Sequence, residues 1–176
     1  VTLDIEMPNM NGLAFLDKLM RLHPLPVVMV STLTHKGASE TLLALELGAV
    51  DFVAKPNADL SGGLEAFGEN LRSKVRAASH SDVRARQGRI VVPQVNITTA
   101  AAPRGAVIAI GASTGGVEAI RVVLGSMPKD CPPIDITQHM PAGFTTRFAA
   151  RLDELSEIDV AEATDRQILE PGRAYV

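Results

Sequence analysis

The chain has 176 residues, enough for one ordinary domain or two small or incomplete ones, and its 46% hydrophobic and 21% charged residues are the balance of a folded globular protein. Aromatic residues make up 3% with no Trp, so any core must be aliphatic, and a net charge of -3 gives no pull toward nucleic acid or a membrane surface. The one cysteine, Cys131, excludes an internal disulfide and suits a reducing compartment such as the cytoplasm, while no apolar run approaches the ~20 residues of a membrane span.

The first residues, Val1-Thr2-Leu3-Asp4, already read as a strand with no leading Met. Pro8 and Asn11-Gly12 mark a turn, and Leu13, Leu16, Leu19 and Met20 then recur at helical spacing. The His23-Pro24 and Leu25-Pro26 steps end that helix. Val27-Val28-Met29-Val30 is a continuous apolar run, as in a strand covered on both faces. A helix through Leu42, Leu45 and Leu47 stops at Gly48, and Asp51-Phe52-Val53-Ala54 is the next strand, ended by Lys55-Pro56. Residues 64–78 form a further helix with Leu64, Phe67, Leu71 and Val75 on one face.

From residue 77 to 104 the composition turns polar, then basic (Arg84-Ala85-Arg86-Gln87-Gly88-Arg89), then small, which reads as a linker with a short extended piece at Ile90-Val91-Val92-Pro93. A solvated face explains the basic run better than a nucleic-acid site. Alternation then restarts. Val107-Ile108-Ala109-Ile110 is expected to be a buried strand, and Gly111 to Gly116 a glycine-rich turn. Val117, Ile120, Val123 and Leu124 give a helical face, 134–137 a strand, and Phe144, Phe148, Leu152 and Leu155 an amphipathic helix. Arg147 and Arg151 lie on that helix's solvated side. The chain closes on the β-leaning Arg173-Ala174-Tyr175-Val176, so the segment is expected to be cut at both ends. The pattern predicts an α/β protein with parallel sheets.

In such sheets ligands sit beyond the carboxyl ends of the strands. Asp4, Ser31 and Lys55 each fall at such an end. A carboxylate can attack a phosphoryl group, a lysine can neutralise its oxygens and a hydroxyl can donate to one of them. Singly each residue has a plainer explanation, as a cap or a solvated charge; their joint placement favours a site. Leu3-Asp4-Ile5-Glu6-Met7-Pro8-Asn9-Met10-Asn11-Gly12, with Val30-Ser31 and Lys55-Pro56, resembles the phosphorylation motif of response-regulator receiver domains. That resemblance implies a flavodoxin-like doubly wound sheet, Asp4 as phosphoacceptor, and Ser31 and Lys55 as phosphoryl-binding groups. It also implies Phe52 as the aromatic switch, Mg²⁺ held by Asp4 and the Glu6 backbone carbonyl, and a cis Lys55–Pro56 bond. The family's acidic pair would lie upstream of Val1.

Gly111-Ala112-Ser113-Thr114-Gly115-Gly116 follows a strand and precedes a helix, and Gly111, Ser113 and Gly115 fit the G-x-S-x-G pattern of a nucleophile turn. The amides of Thr114 and Gly115, at a helix start, could stabilise an oxyanion. The same turn could instead cradle a phosphate or nucleotide without chemistry. His139 lies just past the next strand, and a right-handed crossover would put it beside Ser113 as a base.

Gln138-His139-Met140-Pro141-Ala142-Gly143-Phe144 resembles the histidine motif of the chemotaxis protein-glutamate methylesterases (the CheB family), and residues 111–116 resemble their serine motif. The order of receiver motif, linker and hydrolase start is also that of the family. The resemblance implies the C-terminal part of a receiver at 1–73, a linker at 74–102, and the N-terminal part of a Rossmann-like methylesterase domain at 103–176. The implied activity is phosphorylation-controlled hydrolysis of glutamate methyl esters on chemoreceptors, with possible deamidation of receptor glutamines. Ser113 would be the nucleophile, His139 the base, and the Thr114 amide an oxyanion donor; no cofactor is expected for the esterase. A chemotaxis histidine kinase would be the phosphodonor, the location cytoplasmic, and neither nucleic acid nor membrane insertion is expected. The triad Asp would lie downstream, since Asp153, Asp159 and Asp165 do not match its motif, so the segment alone is expected to be nearly inactive. The alternative is a receiver-linked module that binds an anion or nucleotide.

Overall fold

The alternating strand and helix patterns resolve into two α/β units, Val1–Arg89 and Ile90–Val176. The computed structural model describes residues 1–32, 35–56, 63–81, 83, 105–141 and 143–176, without the side chains of 35, 36 and 63. The expected extended piece at 90–93 and the basic run at 84–89 lie outside the described residues.

The first unit contains β1 (Thr2–Asp4), α1 (Gly12–Leu22), β2 (Val28–Ser31), α2 (His35–Glu46), β3 (Asp51–Ala54) and α3 (Gly63–Ser79). The strands form a parallel sheet in the order β1-β2-β3, with Asp4 beside Val30 and Ser31 beside Ala54. Asn11 caps α1, its side chain accepting from the Leu13 amide at 2.8 Å. Gly48 ends the α2 segment with φ +110°, a left-handed conformation that suits glycine. The central strand is buried as the apolar run predicts: Val27, Val28 and Met29 are all at or below 1% exposure. Val28 and Val53 face α3, while Ser31, of opposite parity on β2, meets Thr41 of α2, so helices cover both faces.

The buried stripe of α3 is not the expected one. Phe67, Leu71 and Ala78 pack against Val28 and Val53, whereas Leu64 is 70% and Val75 37% exposed. Lys74 takes the inward position instead. Its Nζ donates to Asp51 Oδ1 at 2.8 Å and to the Phe52 carbonyl at 2.8 Å, and it stands 5.0 Å from the Phe52 ring centroid. Asp51 is buried, and a buried carboxylate needs a cation and donors more than the helix needs one more valine inside. The expected domain boundary at 73/74 falls within this continuous helix.

The second unit contains β4 (Ile108–Ala112), α4 (Gly116–Leu124), β5 (Ile134–Gln138), α5 (Thr145–Leu155), β6 (Asp159–Ala161) and β7 (Arg173–Tyr175). All pairings are parallel, in the order β4-β5-β7-β6. The chain moves from β4 to β5 and on toward β6 in one direction. Right-handed crossovers therefore place α4 and α5 on the same face. That face holds the core of Ile120, Leu124, Ile134, Ile136, Phe148, Leu152, Val160 and Ala174. β4 is consequently not the buried strand expected: Ile108 and Ile110 are half-buried, and Val107, Ala109 and Gly111 are exposed. Cys131 is buried and unoxidised, and burial pushes its thiol pKa up, so it acts as a small apolar side chain.

Replacing Lys74 with Met leaves the Asp51 carboxylate buried without its cation. Urea unfolding of the first unit is expected to show a loss of about 3 kcal/mol, the usual cost of breaking a buried pair from one side.

Candidate functional site

The carboxyl edge of the first sheet brings together two of the three residues expected there. Asp4 ends β1 and Lys55 follows β3, and Lys55 Nζ lies 2.6 Å from Asp4 Oδ2. The second Asp4 oxygen, Oδ1, accepts from the Glu6 amide at 3.2 Å. The chain turns tightly behind the carboxylate, where the Gly12 amide donates to the Ile5 carbonyl at 2.9 Å. A Cβ on Gly12 would stand 2.0 Å from the Asp4 carbonyl, so only glycine lets α1 start this close to the acidic residue. Carboxylate and ammonium are both half-buried, which leaves them reachable by a ligand.

Ser31 does not join them. It is 1% exposed, and its Oγ lies 2.7 Å from Thr41 Oγ1 and 3.3 Å from the Gly37 carbonyl, turned into α2. Two buried hydroxyls satisfy one another there, while Lys55 reaches Asp4 through charge attraction that a neutral hydroxyl lacks. Phe52 is buried in β3, its amide donating to Asp51 Oδ1 at 2.6 Å. The Lys55–Pro56 bond, expected cis, is trans. Trans is the default for X-Pro by about 0.5–1 kcal/mol, and Lys55 reaches Asp4 without isomerisation.

For Mg²⁺, Asp4 and the Glu6 carbonyl offer hard oxygen donors of the right kind, and that ion commonly takes only one or two carboxylates and keeps several waters. Among the described residues there is no cluster of three or more His, Cys, Asp or Glu that could hold a metal by side chains alone. The pair therefore fits Mg²⁺ as part of a donor set.

In the second unit, β4 and β5 run in register, with Gly111 beside Thr137 and Ala112 beside Gln138. The ladder continues one step, as the His139 amide donates to the Ala112 carbonyl at 3.0 Å. Ser113 and His139 are thus the first residues beyond a paired rung, at neighbouring strand ends about 4.8 Å apart. Both are exposed. Among the described residues no hydrogen bond joins their side chains, so the ladder supplies the adjacency and leaves the rotamers to choose.

After Ser113 the chain bends sharply. Gly115 takes φ +77°, ψ -3°, which favours glycine, and the Gly116 amide donates to the Ser113 carbonyl at 2.8 Å. α4 begins at once, so the amide of Thr114 sits at the positive end of a nine-residue helix. Glu118 in its first turn is paired with Arg121 at 2.6 Å, which tempers the negative charge beside that end. A hydroxyl, an imidazole and helix-start amides on one edge suit attack on a carbonyl and stabilisation of the resulting oxyanion.

Three aspartates of the second unit, Asp153, Asp159 and Asp165, are engaged away from the imidazole. Asp153 Oδ1 accepts from the Val160 amide at 2.7 Å, Asp159 pairs with Arg173 at 3.2 Å, and Asp165 sits 3.8 Å from Arg166. Arg151 pairs with Glu154 at 2.6 Å, in keeping with a solvated helix face. At the start of α5, the Thr145 and Thr146 hydroxyls both donate to Glu162, whose pKa they lower. The residue that sequence reasoning missed is Gln138. Its Nε2 donates to the Ser113 carbonyl at 2.9 Å and to the His139 carbonyl at 3.3 Å. An uncharged residue ending a strand gives no chemical signal, and only the strand pairing places it under the serine turn.

A Cβ on Gly116 would stand 2.1 Å from Gln138 Oε1 and 2.6 Å from the Ala112 Cβ. Gly116→Ala is therefore expected to destabilise the second unit by about 1–3 kcal/mol in urea unfolding, the range for overpacking.

Residues 1–61 match the family model for the response regulator receiver domain, and residues 108–176 match that for CheB methylesterase. The whole chain is 56% identical to "Protein-glutamate methylesterase/protein-glutamine glutaminase 1" of Caulobacter vibrioides, covering 51% of that protein. It is 50% identical over an alignment covering all of it to the like-named protein of Xanthomonas euvesicatoria, covering 52% of that protein. It is 51% identical to "Protein-glutamate methylesterase/protein-glutamine glutaminase" of Bordetella parapertussis, covering 50%. The chain spans about half the length of the curated relatives it matches.

Proposed function

Because this chain joins a response-regulator receiver segment to a CheB methylesterase segment, we propose that it is part of an esterase switched on by phosphorylation of Asp4. The substrate is a glutamate γ-methyl ester on a chemoreceptor, and the products are glutamate and methanol; receptor glutamine side chains are deamidated by the same chemistry. The observation that carries this reading is the shared edge, where Ser113 and His139 each follow the Ala112–Gln138 rung directly and α4 starts three residues after Ser113.

The steps follow from those positions. Ser113 Oγ attacks the ester carbonyl as His139 takes its proton, and the Thr114 amide donates to the oxyanion. Collapse expels methoxide, which leaves as methanol with the proton from His139. A water then gives its proton to His139 and attacks the acyl-serine, releasing the glutamate side chain and restoring the Ser113 hydroxyl. A triad Asp from outside this segment completes the orientation of the imidazole.

In the receiver segment, a histidine kinase supplies the phosphoryl group to Asp4, Lys55 neutralises its oxygens, and Ser31 leaves Thr41 to donate to it. Mg²⁺, when bound by Asp4 and the Glu6 carbonyl, adds charge neutralisation. Phe52 is the aromatic group that responds. The proposed organisation is receiver at 1–73, linker at 74–102 and esterase at 103–176. The proposed location is the cytoplasm; among the described residues no helix is long and apolar enough to cross a membrane.

In the full-length protein, Ser113→Ala is expected to cut methanol release from methylated receptors by at least about 10³-fold. Undiminished release would reject Ser113 as nucleophile. Asp4→Asn is expected to remove the response to a phosphodonor while basal hydrolysis persists; activation at the unsubstituted level would reject the regulatory part.

A further inference from the structure

Gln138 ends β5 on the same face as Ile134 and Ile136, and so turns toward the helix-covered side of the sheet. Its Nε2 lies 2.9 Å from the Ser113 carbonyl and 3.3 Å from the His139 carbonyl. Two carbonyl neighbours fix which end of the amide is the nitrogen. The other end, Oε1, is buried and, among the described residues, has no hydrogen-bond partner; it is pressed against Gly116. An apolar side chain of the same length would fill that space without stranding an acceptor. Packing stability therefore does not explain a glutamine here.

Its two donated bonds do. The Ser113 carbonyl and the Thr114 N–H belong to one planar trans peptide, so they point in opposite directions. Holding that carbonyl inward, with help from the Gly116 amide at 2.8 Å, aims the Thr114 N–H outward on the opposite side. The second bond ties the residue carrying the imidazole to the same amide group. The two exposed side chains proposed to react, Ser113 and His139, thus share one backbone anchor.

We infer that Gln138 is a positioning residue that sets the direction of the Thr114 oxyanion amide and holds the His139 turn in register with the Ser113 turn. This inference rests on the esterase reading above. It predicts an effect on the transition state and little on substrate binding, because the oxyanion forms only as the reaction proceeds.

The test uses Gln138→Met and Gln138→Glu in the full-length protein. Met fills the volume with no donor and no stranded oxygen. Glu keeps the shape and presents oxygen where the donor was. With Met, kcat is expected to fall about 10²-fold while KM stays within about twofold. Affinity for a boronate that mimics the tetrahedral intermediate should fall in parallel, and the thermal midpoint should be unchanged or higher. Glu should repeat the kcat loss, and either variant alone carries the test if the other does not fold. A Met variant with unchanged kcat overturns the inference, as does a kcat loss with unaltered boronate affinity. Ser113→Ala separates the two levels: if it still releases methanol, the esterase reading fails; if it is inactive while Gln138→Met is fully active, only the positioning role fails.

Discussion

Parallel pairing delivers every strand of a sheet to the same edge, and in this chain the ladder between β4 and β5 is the constraint on which the proposed chemistry depends. Ala112 and Gln138 form its last rung, and the His139 amide extends it by one bond to the Ala112 carbonyl. Hydrogen-bonded backbone is far stiffer than a pair of exposed side chains. The separation of the serine and histidine backbones is therefore fixed by the sheet, not by contact between the two side chains. A one-residue slip would also turn Gln138 to the opposite face of the sheet and remove the amide that sits beneath the serine turn.

The first unit uses the same edge with a different force. Asp4 and Lys55 meet through charge, across the intervening β2, while the hydroxyl of Ser31 at the end of that middle strand turns away into α2. A neutral hydroxyl is satisfied by Thr41 and the Gly37 carbonyl, and in that position it neither solvates the Lys55–Asp4 pair nor competes with it. Phosphorylation of Asp4 would change this balance, since three new acceptor oxygens give a hydroxyl reason to leave Thr41. Beneath, the buried Asp51–Lys74 pair fixes the rotation of α3 and grips the Phe52 carbonyl. The backbone that carries the aromatic group is thus tied down by the helix that follows it.

Much of this was legible beforehand. Short apolar runs and helical spacing identify β1 to β5, α1 to α5 and the C-terminal strand near their observed places, because local periodicity follows directly from which side chains must face a core. The glycine turns at residues 12, 48 and 115 were legible because close approach or positive φ admits few other residues. β6 was not read as a strand, since three residues, Asp159-Val160-Ala161, carry too little pattern to distinguish from a loop. The stripe of α3 keeps the expected Phe67 and Leu71 but exchanges Leu64 and Val75 for Lys74 and Ala78, because a lysine within an apolar face looks like its edge until a buried carboxylate is seen opposite it.

Sequence alone determined the kinds of groups at the strand ends, the parallel α/β architecture and the family to which both motifs point, because these depend on local order along the chain. Tertiary structure decided the rest: β7 entering between β5 and β6, Ile108 and Ile110 of β4 left half-buried, Ser31 facing Thr41, and Gln138 reaching two carbonyls at once. Each of these depends on which distant segments become neighbours. Hydrogen-bond partners and buried charges are settled by that competition in space, and residues 25 apart in sequence, such as Ser113 and Gln138, carry no local trace of it.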